Sequence, residues 1–294
     1  MVENNRVENL LMIPAYTRLD EALERDKKNE STDKYSFGDP IIDAYMGGGW
    51  GRHDAYEVIC VFGGTGMNKS TLVSQMVISP AAKGDRVAYL ALEDELEDVL
   101  IRMYRQLEPT GLIAQKKLDT VLRNIDFFPE NSGYSLSALL EVIEDLLKTY
   151  AVVVIDPIQF AFEASIVDKG DTEWNRQRIF IQKLIAITKK AKKPVIFVSH
   201  TNKTIYNNRG GGALDANAAL GATQGSGSLP QGATKAVFIN RDSNGIRTLS
   251  LAKTRFTQNR YVPLQISFDP KSLRIGFDKT GLTQTQINQC IEGA

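Results

Sequence analysis

Four long apolar runs in the first two thirds of the chain form its strongest pattern. They lie at residues 56–62, 86–92, 151–155 and 194–199. Each run is continuous rather than alternating, which is typical of a strand that helices cover on both faces of a sheet. Between the runs, four segments have the apolar spacing of helices, at 69–77, 95–107, 136–150 and 174–190. The alternation predicts a doubly wound α/β fold with a mostly parallel sheet.

The last third of the chain follows a different pattern. Three shorter apolar segments, at 236–240, 247–252 and 264–268, are separated by short turns, one of them an Asn-Gly pair. This predicts antiparallel strands that extend one edge of the sheet. Residues 201–230 are instead rich in glycine, asparagine, alanine and serine, and a loop of this length in a compact domain is commonly functional.

The beginning of the chain predicts an arm ahead of the main domain. An apolar stretch at 10–13 is followed by an amphipathic pattern at 17–25 and then by a polar run. The predicted organisation is therefore an arm at 1–34, a main domain at 35–280 and a tail at 281–294.

Composition and charge narrow the classes of function. The 294 residues include 35 Lys and Arg against 35 Asp and Glu, so any binding of a polyanion must be local. Cys60 and Cys290 stand far apart and outside any pairing typical of a zinc module. The first residues lack the pattern of a signal peptide, and no apolar run approaches the ~20 residues of a membrane span. These features predict a cytoplasmic protein that makes no contact with membranes.

A phosphate-binding loop follows the first apolar run directly. Backbone N–H groups of such a loop surround phosphates, a lysine neutralises their charge and the next hydroxyl binds Mg²⁺. Asn68 stands where the usual motif has its second glycine. Because asparagine tolerates a left-handed backbone, the loop can keep its shape, but impaired nucleotide binding is the other open outcome. The predicted nucleotide-binding residues are Gly64, Thr65, Gly66, Met67, Asn68, Lys69, Ser70 and Thr71.

Polar side chains end three of the other apolar runs. Glu93 follows the second run, Asp156 ends the third and His200 ends the fourth. The carboxyl ends of parallel strands meet at one edge of a sheet, so these residues are expected beside the phosphate loop. There Asp156 would hold Mg²⁺ with Ser70, and Glu93 would orient the attacking water. A capping role for Asp156 and a structural role for His200 are the alternatives.

Taken in order with the segments at 225–228 and 253–257, these motifs resemble those of DnaB-like (superfamily 4) hexameric replicative helicases. The similarity is greatest to the helicase parts of phage helicase-primases and of Twinkle, and it covers roughly residues 35–275. It implies a RecA-like P-loop NTPase core with antiparallel edge strands at its C-terminal side. The main domain at 35–280 would then be the helicase motor.

The resemblance also implies a role for each matching residue. Lys69 and Ser70 match the phosphate and Mg²⁺ residues, and Asp156 the second Mg²⁺ residue. Glu93 matches the catalytic base, and His200 the sensor that links the γ-phosphate to the DNA-binding loop.

Four further positions match residues that complete the site in these helicases. Lys253 and Arg255 match a pair that the neighbouring subunit supplies, with Arg255 as the arginine finger. Arg241 and Phe268 match the two residues that sandwich the base of the nucleotide. ATP and dTTP are both open as the preferred nucleotide, with Mg²⁺ as the metal.

The function that the resemblance implies is a homohexameric helicase driven by NTP hydrolysis, translocating on single-stranded DNA 5′→3′ and unwinding a replication fork. DNA contacts are expected from the loop after His200, at Asn202, Lys203 and Arg209. The arm would dock on the next subunit, and a primase, polymerase or loader would be a further partner. If a phage encodes the chain, the compartment is the host cytoplasm.

Two alternatives to the helicase are open. One is a RecA-like ATPase that binds DNA in recombination or strand annealing without unwinding it. The other is a nucleotide-bound ring whose hydrolysis Asn68 has weakened. The presence together of Glu93, Asp156, His200 and Arg255 favours a working motor, because a ring without hydrolysis has no chemical need for all four.

Overall fold

The computed structural model describes residues 34–51, 55–111, 118–129, 135–163, 172–201, 216–220, 228–254 and 260–280. The chain divides into two units, Met1–Lys34 and Tyr35–Ala294, and the fold described below is that of the second. The predicted tail, and the predicted arm apart from Lys34, lie outside the described residues.

Within the described residues a single sheet of nine strands has the order β3-β2-β4-β5-β1-β6-β7-β8-β9. Strands β1 to β6 pair in parallel, and β6 to β9 pair antiparallel at one side. The strands are β1 (Val58–Gly63), β2 (Val87–Ala91), β3 (Ile125–Pro129), β4 (Val152–Asp156), β5 (Val195–His200), β6 (Lys235–Arg241), β7 (Arg247–Thr254), β8 (Arg260–Asp269) and β9 (Arg274–Phe277). The predicted fold class, with its antiparallel edge, is confirmed.

The continuous apolar runs are buried strands in the middle of the sheet. Every residue of β1, β2 and β4 is buried, because helices and loops pack on both faces. One hydrophobic core lies on each face, and alternate residues of a strand enter opposite cores: Ile59 and Val61 belong to one, Cys60 and Phe62 to the other. This is the physical reason for an apolar pattern without alternation.

The helices that pack on the sheet are, in chain order, α1 (Pro40–Tyr45), α2 (Lys69–Lys83), α3 (Leu96–Leu107), α4 (Leu118–Arg123), α5 (Leu136–Thr149), α6 (Gln159–Glu163), α7 (Glu173–Ala191), α8 (Ala216–Leu220) and α9 (Ser228–Gly232). Three of them carry side-chain caps at their first turn: Asp39 caps α1, Ser135 caps α5 and Thr172 caps α7. Among the described helices, none is long and apolar enough to cross a membrane.

Helix α2 begins at the phosphate loop and is longer than the predicted segment at 69–77. It continues through Pro80 to Lys83, and the residue that caps it, Gly84, has a left-handed backbone with φ 93°. Its own N–H bonds to the carbonyl of Ala81, so the helix ends in the manner usual for a C-terminal glycine. The proline is therefore contained in the helix and does not end it.

Candidate nucleotide and metal site

The phosphate loop connects β1 to α2 in the conformation that the motif requires. Asn68 has φ 65° and ψ 30°, a left-handed backbone, and caps α2 without a side-chain hydrogen bond. Its Oδ1 atom is buried and has no hydrogen-bond partner. Asn68 thus adopts the backbone geometry that glycine usually provides at this position.

Gly63, the last residue of β1, allows the strand to lie close to β6. A Cβ atom on Gly63 would lie 2.3 Å from the backbone oxygen of Ile239. That distance is far shorter than any van der Waals contact, so a side chain here would push the two strands apart. The first glycine before the loop is therefore required by packing and not by a turn.

Asp156 is the buried carboxylate of the site. It is 5% exposed at the end of β4, where the Ser70 hydroxyl donates to its Oδ1 atom over 2.9 Å. The Tyr89 hydroxyl donates to its Oδ2 atom over 2.6 Å. Burial raises the pKa of Asp156, and the hydrogen bonds from Tyr89 and Ser70 act in the opposite direction. The predicted closeness of Ser70 and Asp156 is present, and Tyr89 was not predicted.

Lys69 lies between the loop and the end of β5. Its Nζ atom donates to the backbone oxygen of Gly64 over 2.8 Å and lies 3.1 Å from Nδ1 of His200. Burial lowers the pKa of Lys69 to about 8, an effect that the charges of Asp156 and Glu93 partly offset. Lys69, the lysine of the motif, thus contacts both the backbone of the phosphate loop and the last residue of β5.

Glu93 and His200 complete the group of predicted residues at this edge. Nε2 of His200 lies 3.8 Å from Oε2 of Glu93, and the Glu93 side chain is 50% exposed. An exposed carboxylate beside a phosphate loop is accessible to water and substrate. Lys69, Glu93 and His200 therefore form a continuous set of neighbours.

Ser70 and Asp156 suit Mg²⁺ together with a nucleotide. No group of three or more His, Cys, Asp and Glu side chains in the described part of the chain could hold a metal ion alone. Mg²⁺ in phosphate sites is usually held by one or two protein oxygens, by water and by the phosphates themselves. One hydroxyl and one carboxylate joined by a hydrogen bond fit that pattern.

The two predicted base-binding residues lie at the same edge of the sheet as the loop. Arg241 ends β6, which runs parallel to β1, and Phe268 lies near the same end of β8. The guanidinium of Arg247 lies over the Phe268 ring, with its carbon 5.5 Å from the ring centroid. Arg247 was not predicted, and the sandwich of a base between Arg241 and Phe268 stays a prediction.

Lys253 lies at the opposite edge of the sheet. It pairs with Ala236 of β6, which in turn pairs with Cys60 of β1, three residues before Gly63. Three strand residues span about 10 Å, so Lys253 is well separated from the loop of its own chain. Its Nζ atom donates to the backbone oxygen of Gln231. The other predicted site residues, Asn202, Lys203, Arg209 and Arg255, lie outside the described residues.

A phosphate loop between β1 and α2, with a serine and a strand-end aspartate beside it on this sheet, defines a RecA-like P-loop ATPase domain. The chain belongs to the AAA domain family, whose model matches residues 28–205. The predicted likeness to DnaB-like motor domains is confirmed for the fold.

Relatives and solved structures agree with this assignment. The chain is 27% identical over 182 residues to the circadian clock protein KaiC2 of Synechocystis sp. (strain ATCC 27184 / PCC 6803 / Kazusa), covering 60% of this chain but 29% of that protein. The solved ATPase domain of G40P matches 88% of this chain and 98% of its own, with TM-score 0.66 and 15% identity. A KaiC-like protein of Pyrococcus horikoshii OT3 matches 83% of this chain and 98% of its own, with TM-score 0.57 and 16% identity. Identities this low show a shared fold.

Proposed function

We propose that this chain is the motor of a hexameric DNA helicase, which hydrolyses a nucleoside triphosphate to move along single-stranded DNA. The observation that supports hydrolysis is that Lys69 contacts Gly64 and His200 at the phosphate loop, while the next residue, Ser70, donates to Asp156. The resemblance of the motifs to those of replicative helicases supports the DNA-linked function.

Hydrolysis would use groups that already stand in place. Lys69 exchanges the Gly64 carbonyl and His200 for phosphate oxygens when the nucleotide enters. Ser70 and Asp156 would hold Mg²⁺, whose charge would offset that of the phosphates. Glu93 is exposed and accepts the proton of the attacking water.

His200 is the residue that would couple hydrolysis at the γ-phosphate to DNA binding. It contacts Lys69 and faces Glu93, and it is the last residue of β5. A change at the γ-phosphate would alter these contacts at the end of β5. We propose that Asn202, Lys203 and Arg209, in the segment that follows Thr201, contact the DNA backbone, and that movement is 5′→3′.

The position of Lys253 supports the proposed ring. Lys253 lies on β7 at the edge away from its own loop, and Arg255 follows it two residues later. A side chain at that edge can complete the site of a neighbouring subunit but not its own. We therefore assign Lys253 and Arg255 to the adjacent site, with Arg255 stabilising the charge that develops on the phosphate.

The base of the nucleotide would bind beside Phe268. Arg241 and Phe268 are at the correct edge, and Arg247 stacks on the Phe268 ring. We propose that the base packs in this region with either ATP or dTTP as the nucleotide. A primase, polymerase or loader is a proposed partner. The proposed compartment is the cytoplasm, that of the host if a phage encodes the chain.

The test is NTP hydrolysis by the purified protein at several protein concentrations, with and without single-stranded DNA. A specific rate that rises with both protein concentration and DNA is the expected result, followed by unwinding of a forked substrate. DNA-stimulated hydrolysis without unwinding favours the recombination or annealing ATPase. Hydrolysis that is present in Asn68→Gly and absent from the natural chain favours the nucleotide-bound ring.

A further inference from the structure

Tyr89 is a buried residue of the site that none of the recognised motifs contains. It lies on β2 with 0% of its surface exposed, and its hydroxyl donates to Oδ2 of Asp156 over 2.6 Å. In the register of the two strands, Asp156 is opposite Ala91 and Tyr89 is opposite Val154. Tyr89 and Asp156 are thus diagonal neighbours on one face of the sheet, within reach of a long aromatic side chain.

The two oxygens of Asp156 have different partners. Oδ1 accepts from Ser70, the residue that would bind Mg²⁺, and Oδ2 accepts from Tyr89. The Ser70 oxygen could bind Mg²⁺ through a lone pair while its hydrogen stays on Oδ1 of Asp156. The hydrogen bond from Tyr89 to Oδ2 restrains rotation of the carboxylate about its Cβ–Cγ bond.

The Tyr89 side chain is itself held in place. Its ring packs against Phe127 of the neighbouring strand at a centroid distance of 5.6 Å. Arg102, paired with Asp94, has electrostatic interactions with both Tyr89 and Asp156. A rigid donor therefore points at the oxygen of Asp156 that faces away from Ser70.

We propose that Tyr89 is a positioning residue, whose hydroxyl fixes Oδ2 of Asp156 and thereby orients Oδ1 towards Ser70 and Mg²⁺. The inference rests on the proposed use of Mg²⁺ and nucleotide by this site. Removal of a hydrogen-bond partner behind a metal-holding group typically weakens the site by about tenfold or more.

The experiment compares Tyr89→Phe with a matched control, Tyr35→Phe. Tyr35 is 1% exposed and donates to a carboxylate in the same way, to Oδ2 of Asp85 over 2.8 Å. Each variant loses one hydroxyl and keeps its ring. The readout is binding of a fluorescent ATP analogue, titrated with Mg²⁺ and repeated in EDTA.

For Tyr89→Phe we expect the Mg²⁺ concentration at half-maximal binding to rise by about tenfold, with affinity in EDTA within about twofold of the natural protein. Tyr35→Phe should leave both quantities unchanged. Equal Mg²⁺ responses in Tyr89→Phe and the natural protein overturn the proposal. So does a loss of affinity that is as large in EDTA as in Mg²⁺, because that marks a disturbed fold.

Two further results keep the test decisive. If the natural protein binds the analogue without any effect of Mg²⁺, or not at all, the proposed function fails together with the inference. If Tyr89→Phe shows no cooperative melting, Tyr89→Met, which also lacks the hydroxyl, is measured in the same way. An unchanged Mg²⁺ response in that variant overturns the proposal.

Discussion

At the scale of the residue, Lys69 is a buried charge whose burial opposes folding. Its ammonium donates to Gly64 and His200, yet burial still lowers its pKa to about 8. In the unfolded chain a lysine keeps its proton to a pKa of about 10.4. The charged form is therefore less favourable in the folded protein than in water.

Lys69 makes the stability of the folded protein depend on pH. Between pH 8 and pH 10 the unfolded chain binds more protons at Lys69 than the folded one, so this residue makes stability rise with pH. Lys69→Met should raise the free energy of unfolding at pH 7 by about 1–3 kcal/mol and remove that rise. Urea unfolding at several pH values, without nucleotide, measures both effects. A variant that is less stable than the natural protein at pH 7 would show that Lys69 is not under strain.

The motif residues could be predicted from the sequence because their chemistry fixes their spacing. Lys69 and Ser70 follow the glycines of a loop, and Asp156 ends an apolar strand. Tyr89 and Arg247 could not be predicted, because their roles depend on cross-strand neighbours that the sequence does not show. A tyrosine within an apolar run gives no signal that distinguishes a core residue from a partner of the site.

At the scale of the element, the close contact of β1 with β6 determines where the phosphate loop begins. The Gly63→Ala substitution would place a Cβ atom 2.3 Å from the Ile239 oxygen, so the strands must separate. We expect a loss of stability of about 2–3 kcal/mol, together with weaker nucleotide binding.

The control is Gly84→Ala, at the C-terminal end of α2, the helix that follows the phosphate loop. A Cβ atom at this position would meet open space. The substitution should lower stability by about 1–2 kcal/mol only because alanine must adopt the left-handed backbone. Thermal unfolding and nucleotide titration of both variants make the comparison. If Gly63→Ala binds nucleotide with the affinity of the natural protein, the contact between β1 and β6 does not determine the position of the phosphate loop.

Strands were predictable where burial on both faces made the apolar run continuous. The two missed strands, β3 and β9, are short and lie at the edges of the sheet. β3 contains Asp126 and ends in Pro129, and β9 has a glycine among its four residues. Their pairing depends on neighbours distant in the chain, such as Gln75, which bonds both N–H and C=O of Ile275.

At the scale of the whole molecule, the proposed ring would make activity a property of an interface, and Lys253 is separated from the phosphate loop of its own chain. One subunit would supply Lys69 and Glu93, and the next would supply Lys253 and Arg255. In the proposed ring each half would be nearly inactive alone, because an arginine delivered across an interface typically contributes 10³–10⁵ in rate.

Mixing two inactive variants tests this division. Lys69→Ala and Arg255→Ala should each reduce hydrolysis by about 10³-fold or more. In an equal mixture with free exchange of subunits, about a quarter of the interfaces combine an intact Lys69 with an intact Arg255, if interfaces act independently. The expected rate is therefore about a quarter of that of the natural protein. The matched control mixes Lys69→Ala with Glu93→Ala, which damage the same half of the site and should give no recovery. Hydrolysis that stays absent in the first mixture, although the two variants assemble together, would place Arg255 outside the neighbouring site.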